Sequence, residues 1–348
     1  MKSIIVSGNF GETPKPSSVA TKLHQNLGGE IINGGTTLDI DLHGYDLIIW
    51  IPNIDNEIEK TYPKKDIGSV LICSKVLREN RNIGDAVSRV FKMNANAVIA
   101  INNTTKPFSF QFVDALGNQW CKTTDLKELS DSILKLYNWS KQSIRVKSEK
   151  NTQLKIDYPL QEFCDIIKIV ADKVENERGG RYFGNASTRC SKMFPSARTD
   201  YSILVSARNI AKDRITPEDF VTSSLYRLPI LKINAAPTLN ADIYYNSNNP
   251  SAKPSVDTPV QLQLYNNFNI NYIIHGHAYI ESAPFTNHYY PCGDLREVQE
   301  IKEQFHQGNF AINLKNHGFI IATKNLQEMM KIVNNSKFIY RNIGEEIL

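Results

Sequence analysis

Tyr45–Pro52 reads YDLIIWIP, a short continuous apolar run. Runs of this kind fit strands covered on both faces, as in a parallel sheet. Ser3–Ser7 (SIIVS), Gly68–Ser74 (GSVLICS) and Ala95–Ile101 (ANAVIAI) have the same character. Helical spacing falls between and after them, in Ser17–Leu27, Ile83–Met93 and Leu126–Trp139. The alternation predicts an α/β fold with a Rossmann- or flavodoxin-like open sheet over residues 1–140. The loop Gly8–Pro16 follows the first strand and precedes the first helix, a context in which helix N–H groups bind anions. Its G-x-x-G spacing is neither the dinucleotide fingerprint nor a phosphate loop with Lys-Ser/Thr. A turn eased by glycine is the other reading.

A length of 348 residues favours two domains. With 41% hydrophobic and 22% charged residues the chain can bury a core, which excludes wholesale disorder and a fibrous repeat. A net charge of +4 is too small an excess to indicate nucleic acid. No apolar run approaches a bilayer span, and Met1–Gly8 reads as a first strand rather than a signal peptide. Neither a membrane partner nor a nucleic-acid partner is expected. Five scattered cysteines without a CxxC argue against a disulfide framework or a cysteine zinc site, and for a reducing, cytoplasmic setting. Lys141–Lys155 is polar, basic and poor in pattern, and reads as a linker.

Residues 156–348 read as a second α/β domain. Leu160–Glu177 has helical spacing, and short strands are expected at Ser202–Ser206, Tyr272–His277, Ala311–Leu314 and Phe319–Ala322. Thr216-Pro217-Glu218-Asp219 has the composition of a helix start. Leu326–Tyr340 reads as a closing helix with Asn325 as its N-cap, and Asn246–Pro254 as a loop.

Five of the seven histidines lie in the last quarter of the chain. In His275-Gly276-His277 the two imidazoles, at i and i+2 of a strand, face one side, and Gly276 leaves the other face bare. Two imidazoles on one face begin a zinc-type site, or they serve packing and hydrogen bonding. His317, in Asn316-His317-Gly318, lies at a strand-to-strand bend where glycine allows a turn; it is a third ligand or a capping or core residue. Asp257, before Thr258-Pro259, is a carboxylate near the metal or a helix N-cap.

Taken together, residues from about 160 to 340 resemble the class II aldolase/adducin family. Gly184-Asn185-Ala186-Ser187-Thr188-Arg189 is similar to its GN-x-S-x-R phosphate loop, and Leu204–Val221 to its "strand, small loop, LTPEDIV" segment. Lys253–Tyr265 resembles its P-S-x-[DE] segment with the following helix, and His275, His277 and His317 its three metal histidines. The resemblance implies a class II aldolase-like α/β domain binding a divalent ion, most simply zinc, on these histidines. It implies a homo-oligomer, a tetramer in this family, and a small anionic substrate such as a sugar phosphate. Asp257 takes the place of the family's acid. Aldolases of the family mostly have Glu there, while its ribulose-phosphate epimerases have Asp followed by Thr-Pro, as here. The epimerase also has a longer stretch, bearing a catalytic Asp, between its HxH pair and the next Pro-Cys; only Ala278–Tyr290 stands there in this chain.

Arg208-Asn209 replaces the family's usual Thr/Ser-Gly, and Val256 its second serine. Asn185, Ser187 and Ser255 remain. Six arginines lie between Arg178 and Arg214. Arg189 and Arg208 are the candidates among them for holding an anion through paired hydrogen bonds. The expected chemistry is carbon–carbon cleavage, with the ion as Lewis acid and Asp257 moving the proton. Tyr289, Tyr290 and Tyr340 are candidates, by position, for protonating the leaving fragment. Epimerisation, dehydration and a non-catalytic adducin-like role are the alternatives.

Overall fold

The apolar runs of the first half lie side by side in one sheet. The structure is a computed structural model; it describes residues 1–7, 18–33, 41–51, 68–77, 82–104, 106–143, 147–150, 161–189, 202–225, 242–247 and 249–347. It divides into two units, Met1–Gln142 with Asn342–Leu348, and Ser143–Arg341. None of its helices is long and apolar enough to cross a membrane, among the described residues.

The first unit runs β1 (Ser3–Ser7), α1 (Ser18–Leu27), β2 (Glu30–Asn33), β3 (Leu47–Ile51), β4 (Val70–Leu77), α2 (Ile83–Met93), β5 (Ala97–Asn102), β6 (Ser109–Asp114), β7 (Asn118–Thr123) and α3 (Leu126–Lys141). The sheet order begins β2-β1-β3-β4-β5, all parallel, which is the flavodoxin-like doubly wound order. The antiparallel β6 and β7 extend it, and a short C-terminal strand, Glu345–Glu346, closes the edge. Side chains alternate between faces as the strand period requires. Ile5, Leu47, Ile49, Ile72 and Ile99 pack with Leu23 of α1 and Ile133 of α3. Ile4, Val6, Ile48, Trp50, Leu71 and Val98 pack with Val87 and Val90 of α2. β1, β3, β4 and β5 carry apolar runs because helices cover both faces. The loop Gly8–Pro16 lies outside the described residues.

The second unit contains β8 (Lys147–Lys150), α4 (Gln161–Ala171), β9 (Glu177–Arg178), β10 (Arg181–Tyr182), β11 (Asn185–Arg189), β12 (Ser202–Ser206), β13 (Phe220–Leu225) and β14 (Asp242–Asn246). It continues with α5 (Thr258–Asn267), β15 (Tyr272–Gly276), β16 (Ala278–Ile280), α6 (Glu297–His306), β17 (Ala311–Leu314), β18 (Gly318–Thr323), α7 (Leu326–Asn335) and β19 (Phe338–Tyr340). The main sheet has the order β17-β18-β15-β11-β12-β13-β14-β8, and every pair except β14–β8 is antiparallel. One face packs on α5 and α6 through Ile273, Leu264, Val260, Ile301 and Phe305. The other packs on α4 and α7 through Ile274, Phe319, Phe163, Ile167 and Met329.

Several segments differ from their reading in the sequence. Within Lys141–Lys155, Lys141 ends α3 and Lys147–Lys150 is an edge strand of the second sheet. Asn342 onward belongs with the first unit, not the second. Gly184–Arg189, a phosphate loop by resemblance, holds the central strand β11, paired with β12 and β15. The helix expected to reach Glu177 stops at Ala171, because a β9–β10 hairpin follows, turning on Gly179 and Gly180 at positive φ. Thr216–Asp219 does form a reciprocal capping box, but on a single 3-10 turn; Phe220 and Val221 then enter the core as β13. Asn325 caps α7, accepting from the Glu328 N–H at 2.8 Å. The helix ends at Asn335, and β19 pairs with β16 instead of continuing it.

Candidate metal centre

On β15, Ile273 faces α5 and α6, and His275 follows two residues later on the same face. Asn185 of β11 sits opposite His275 on one side and Ile320 of β18 on the other. His277 lies just past the end of β15. His317 occupies the loop joining β17 to β18, its N–H donating to the Leu314 carbonyl at 3.0 Å. These elements bring the three rings together. Centroid separations are 5.2 Å for His275–His277, 4.7 Å for His275–His317 and 5.4 Å for His277–His317. One ligand nitrogen from each lies within 4.8 Å of the others.

The glycines act differently from their sequence reading. The left-handed residue of the His317 loop is Asn316, at φ 54°, a conformation asparagine tolerates. Gly318 is needed for close approach: a Cβ there would lie 2.1 Å from the Gly276 carbonyl oxygen. The face opposite the two imidazoles is not bare either. The Phe319 ring fills it, and a Cβ on Gly276 would meet that ring at 2.7 Å.

Each ring is held from outside. His275 Nδ1 lies 2.8 Å from the Phe319 carbonyl and donates to it, which leaves a lone pair on Nε2. That Nε2 is buried and has no hydrogen-bond partner among the described residues, and His275 is 5% exposed. His317 Nδ1 lies 3.2 Å from Glu297 Oε1 on α6, with His317 1% and Glu297 2% exposed. His277 is half-buried and stacks on Phe183 at 4.9 Å. Burial, then the neighbouring imidazole of His317, lowers the pKa of His275; burial and the other two imidazoles hold His277 well below the usual range. Burial, then Asp257, pushes the Glu297 carboxyl well above its usual range. Imidazoles disfavoured as cations at His275 and His277, with the Glu297 carboxyl group behind His317, suit a divalent cation.

Asp257 precedes α5 but makes no capping bond. Its Oδ2 accepts from Asn185 Nδ2 at 2.8 Å and lies 4.0 Å from His275 Nε2, and its buried Oδ1 has no partner among the described residues. Gln261 donates to Asn185 Oδ1, fixing the amide that holds the acid. Ser255 lies at the limit of hydrogen bonding, its Oγ 3.5 Å from Asp257 Oδ2. The structure therefore brings together His275, His277, His317, Asp257, Asn185 and Ser255.

Ser187, Arg189 and Tyr290 are engaged elsewhere. Ser187 Oγ is buried, 2.9 Å from the Tyr265 hydroxyl. The Arg189 guanidinium donates to the carbonyls of Tyr265, Phe268 (3.0 Å) and Ile270 (3.1 Å), satisfying the C-terminal end of α5. Arg189→Ala is accordingly expected to lower unfolding stability by about 2 kcal/mol, the scale of charge-assisted bonds. Denaturant melts check it; unchanged stability would contradict this role. Arg208 is exposed and within electrostatic reach of Asp257. The Tyr290 hydroxyl donates to Glu300 at 3.1 Å, Tyr289 is buried, and Tyr340 is 59% exposed on β19.

Glu297, Cys292 and Arg341 were missed in the sequence. Glu297 sits in an ordinary charged helix, where a glutamate reads as solvated. Cys292 Sγ lies 3.4 Å from His317 Nε2, and Arg341 donates to the His317 carbonyl at 3.0 Å. An outer carboxylate of this kind orients its imidazole and raises its basicity. Glu297→Gln is expected to weaken divalent-metal affinity by about 10–100-fold, as read by competition with a chelating dye. Equal affinity would show that the carboxylate does not support the centre.

No protein-family model matches the sequence, and no curated protein does. Solved structures with similar folds include an L-fuculose 1-phosphate aldolase, 17% identical, covering 50% of this chain and 79% of that one at a TM-score of 0.35. A sugar-phosphate aldolase from Thermotoga maritima is 12% identical, covering 50% and 89% at 0.36. The N-terminal class II aldolase domain of a Thermoplasma acidophilum protein is 17% identical, covering 52% and 93% at 0.34. Over about half its length the chain resembles fuculose-phosphate aldolase and class II aldolase domain proteins, while its N-terminal part is unmatched.

Proposed function

We propose that this chain is a metal-dependent lyase that cleaves a carbon–carbon bond of a small sugar phosphate or related hydroxy-carbonyl compound. The observation that carries the reading is the convergence of His275, His277 and His317, with the buried His275 Nε2 left without a hydrogen-bond partner among the described residues. These residues would hold a divalent ion, zinc by the donor set. When bound it supplies a Lewis acid for charge developing on a carbonyl oxygen.

The protein's own groups do the rest. Asp257 is a buried carboxylate beside the cluster, oriented by Asn185 and Gln261 with Ser255 alongside, and it moves the substrate proton at its Oδ atoms. Arg208, exposed near Asp257, attracts the anionic end of the substrate. In this reading Ser187 and Arg189 support the substrate site from behind, through Tyr265 and the end of α5. Tyr289, Tyr290 and Tyr340 are the hydroxyls to test for protonating the leaving fragment. Tyr340, with the exposed Phe285 and Ile339, also offers apolar surface for a second copy, in keeping with a homo-oligomer.

Product analysis of the zinc-loaded protein on a panel of ketose phosphates tests the reading. Two shorter carbonyl fragments are expected. An epimer, which Asp257 before Thr258-Pro259 favours by resemblance, or a dehydrated product would move the assignment to those reactions. No product from any member would contradict all three.

A further inference from the structure

Two donor sets share His317: the three imidazoles, and Asp257, Cys292 and His317, whose ligand atoms also lie within 4.8 Å of one another. His317 Nδ1 faces Glu297, so only Nε2 is left to bind an ion. A single lone pair holds one cation. The two sets therefore describe one coordination space entered from two sides. Cys292 Sγ lies 3.4 Å from that Nε2. Sulfur and imidazole ligands of one tetrahedral zinc, at about 2.3 and 2.0–2.1 Å from it, are themselves separated by about 3.5 Å.

The sulfur is fixed in place by its turn. Gly293, at φ 75°, packs so closely on the segment before Asp257 that a Cβ would lie 2.2 Å from the Val256 carbonyl oxygen. This holds Cys292 beside Asp257. The buried, unpartnered Nε2 of His275, 4.0 Å from Asp257 Oδ2, points independently to an ion in this space. No disulfide engages the sulfur.

We propose that Cys292 is a further ligand to the ion held by the three histidines, its thiolate taking one of the positions that they leave open, with the substrate oxygen entering as a fifth ligand. The proposal rests on the metal-centre reading above and adds a soft donor to it. The expected consequence is a preference for thiophilic ions such as zinc, cobalt and cadmium over manganese and magnesium.

Cobalt(II) loading of the full chain tests it. The wild type is expected to show visible ligand-field bands together with a near-ultraviolet thiolate-to-cobalt charge-transfer band. Cys292→Ser should lose the near-ultraviolet band and keep the visible bands, which also reports that the variant is folded. Zinc-edge X-ray absorption of the wild type, which needs no variant, should return a sulfur neighbour at about 2.3 Å. Visible bands without the charge-transfer band, a band that survives in Cys292→Ser, or a zinc shell without sulfur would overturn Cys292 as a ligand and leave the histidine centre standing. Failure of the wild type to bind cobalt or zinc would overturn the centre itself.

Discussion

Replacing His275 with alanine is expected to strip the protein of its metal and to lower turnover by more than a hundredfold. Loss of an outer partner of a metal ligand costs about 10–100-fold, and removing a ligand itself costs more. His275 is the most constrained ring of the set. It is buried, fixed through Nδ1 by the Phe319 carbonyl, and directs Nε2 at the point where the three rings meet. Metal analysis after dialysis and turnover on the same preparation read the effect. Comparing the melts of metal-free wild type and variant separates loss of a ligand from damage to the fold. Unchanged metal content with unchanged turnover would end the metal-centre account.

Gly318→Ala is expected to disable the centre without altering any ligand. The added methyl would sit 2.1 Å from the Gly276 carbonyl oxygen, and that atom is backbone. Either β18 withdraws from β15 or the turn carrying His317 shifts. Overpacking of this kind costs about 1–3 kcal/mol, with more expected where no side chain can yield. Since Gly276 and Gly318 lie between the ligands, a displacement of about 1 Å disturbs the three-nitrogen geometry. Both a lower melting temperature and weaker zinc binding are expected. By contrast Gly308→Ala, at a positive-φ turn with nothing within 4 Å, should cost only local backbone strain and leave zinc affinity intact. Wild-type zinc affinity in Gly318→Ala would show that the close approach does not position the ligands.

Four of the five parallel strands of the first sheet were legible because helices bury both their faces, while the short edge strand β2 was not. β1, β3, β4 and β5 therefore carry unbroken apolar runs. β7 (NQWCKT), β11 (NASTR) and β13 (FVTSSL) were not, because their sequences are largely polar. β11 and β13 are central strands of an antiparallel sheet, and pairing on both edges satisfies their backbones. The Ser187 hydroxyl is met by Tyr265, and the Asn185 amide is shared between Asp257 and Gln261. Local composition records neither kind of partner.

The histidines could be picked out because a strand's period of two places His275 and His277 together, while His317 stood out at the Asn316-His317-Gly318 bend and matched the family's third metal histidine. Their supports could not. Glu297 reaches His317 from twenty residues away, through the packing of α6. Cys292 comes near it through a glycine turn whose close contact with Val256 exists only in three dimensions. Arg189 shows the converse failure. Its motif suggested a bound anion, while the folded chain directs its donors to the carbonyls at the end of α5.

In the proposed centre three imidazoles, from β15, its following residue and the β17–β18 loop, share one cation. A crystal of the zinc-loaded protein, with diffraction data on both sides of the zinc absorption edge, puts this to the test. One strong anomalous peak is expected about 2.0–2.1 Å from a ring nitrogen of each of His275, His277 and His317. Zinc located elsewhere, or bound by fewer than three of these rings, would contradict it.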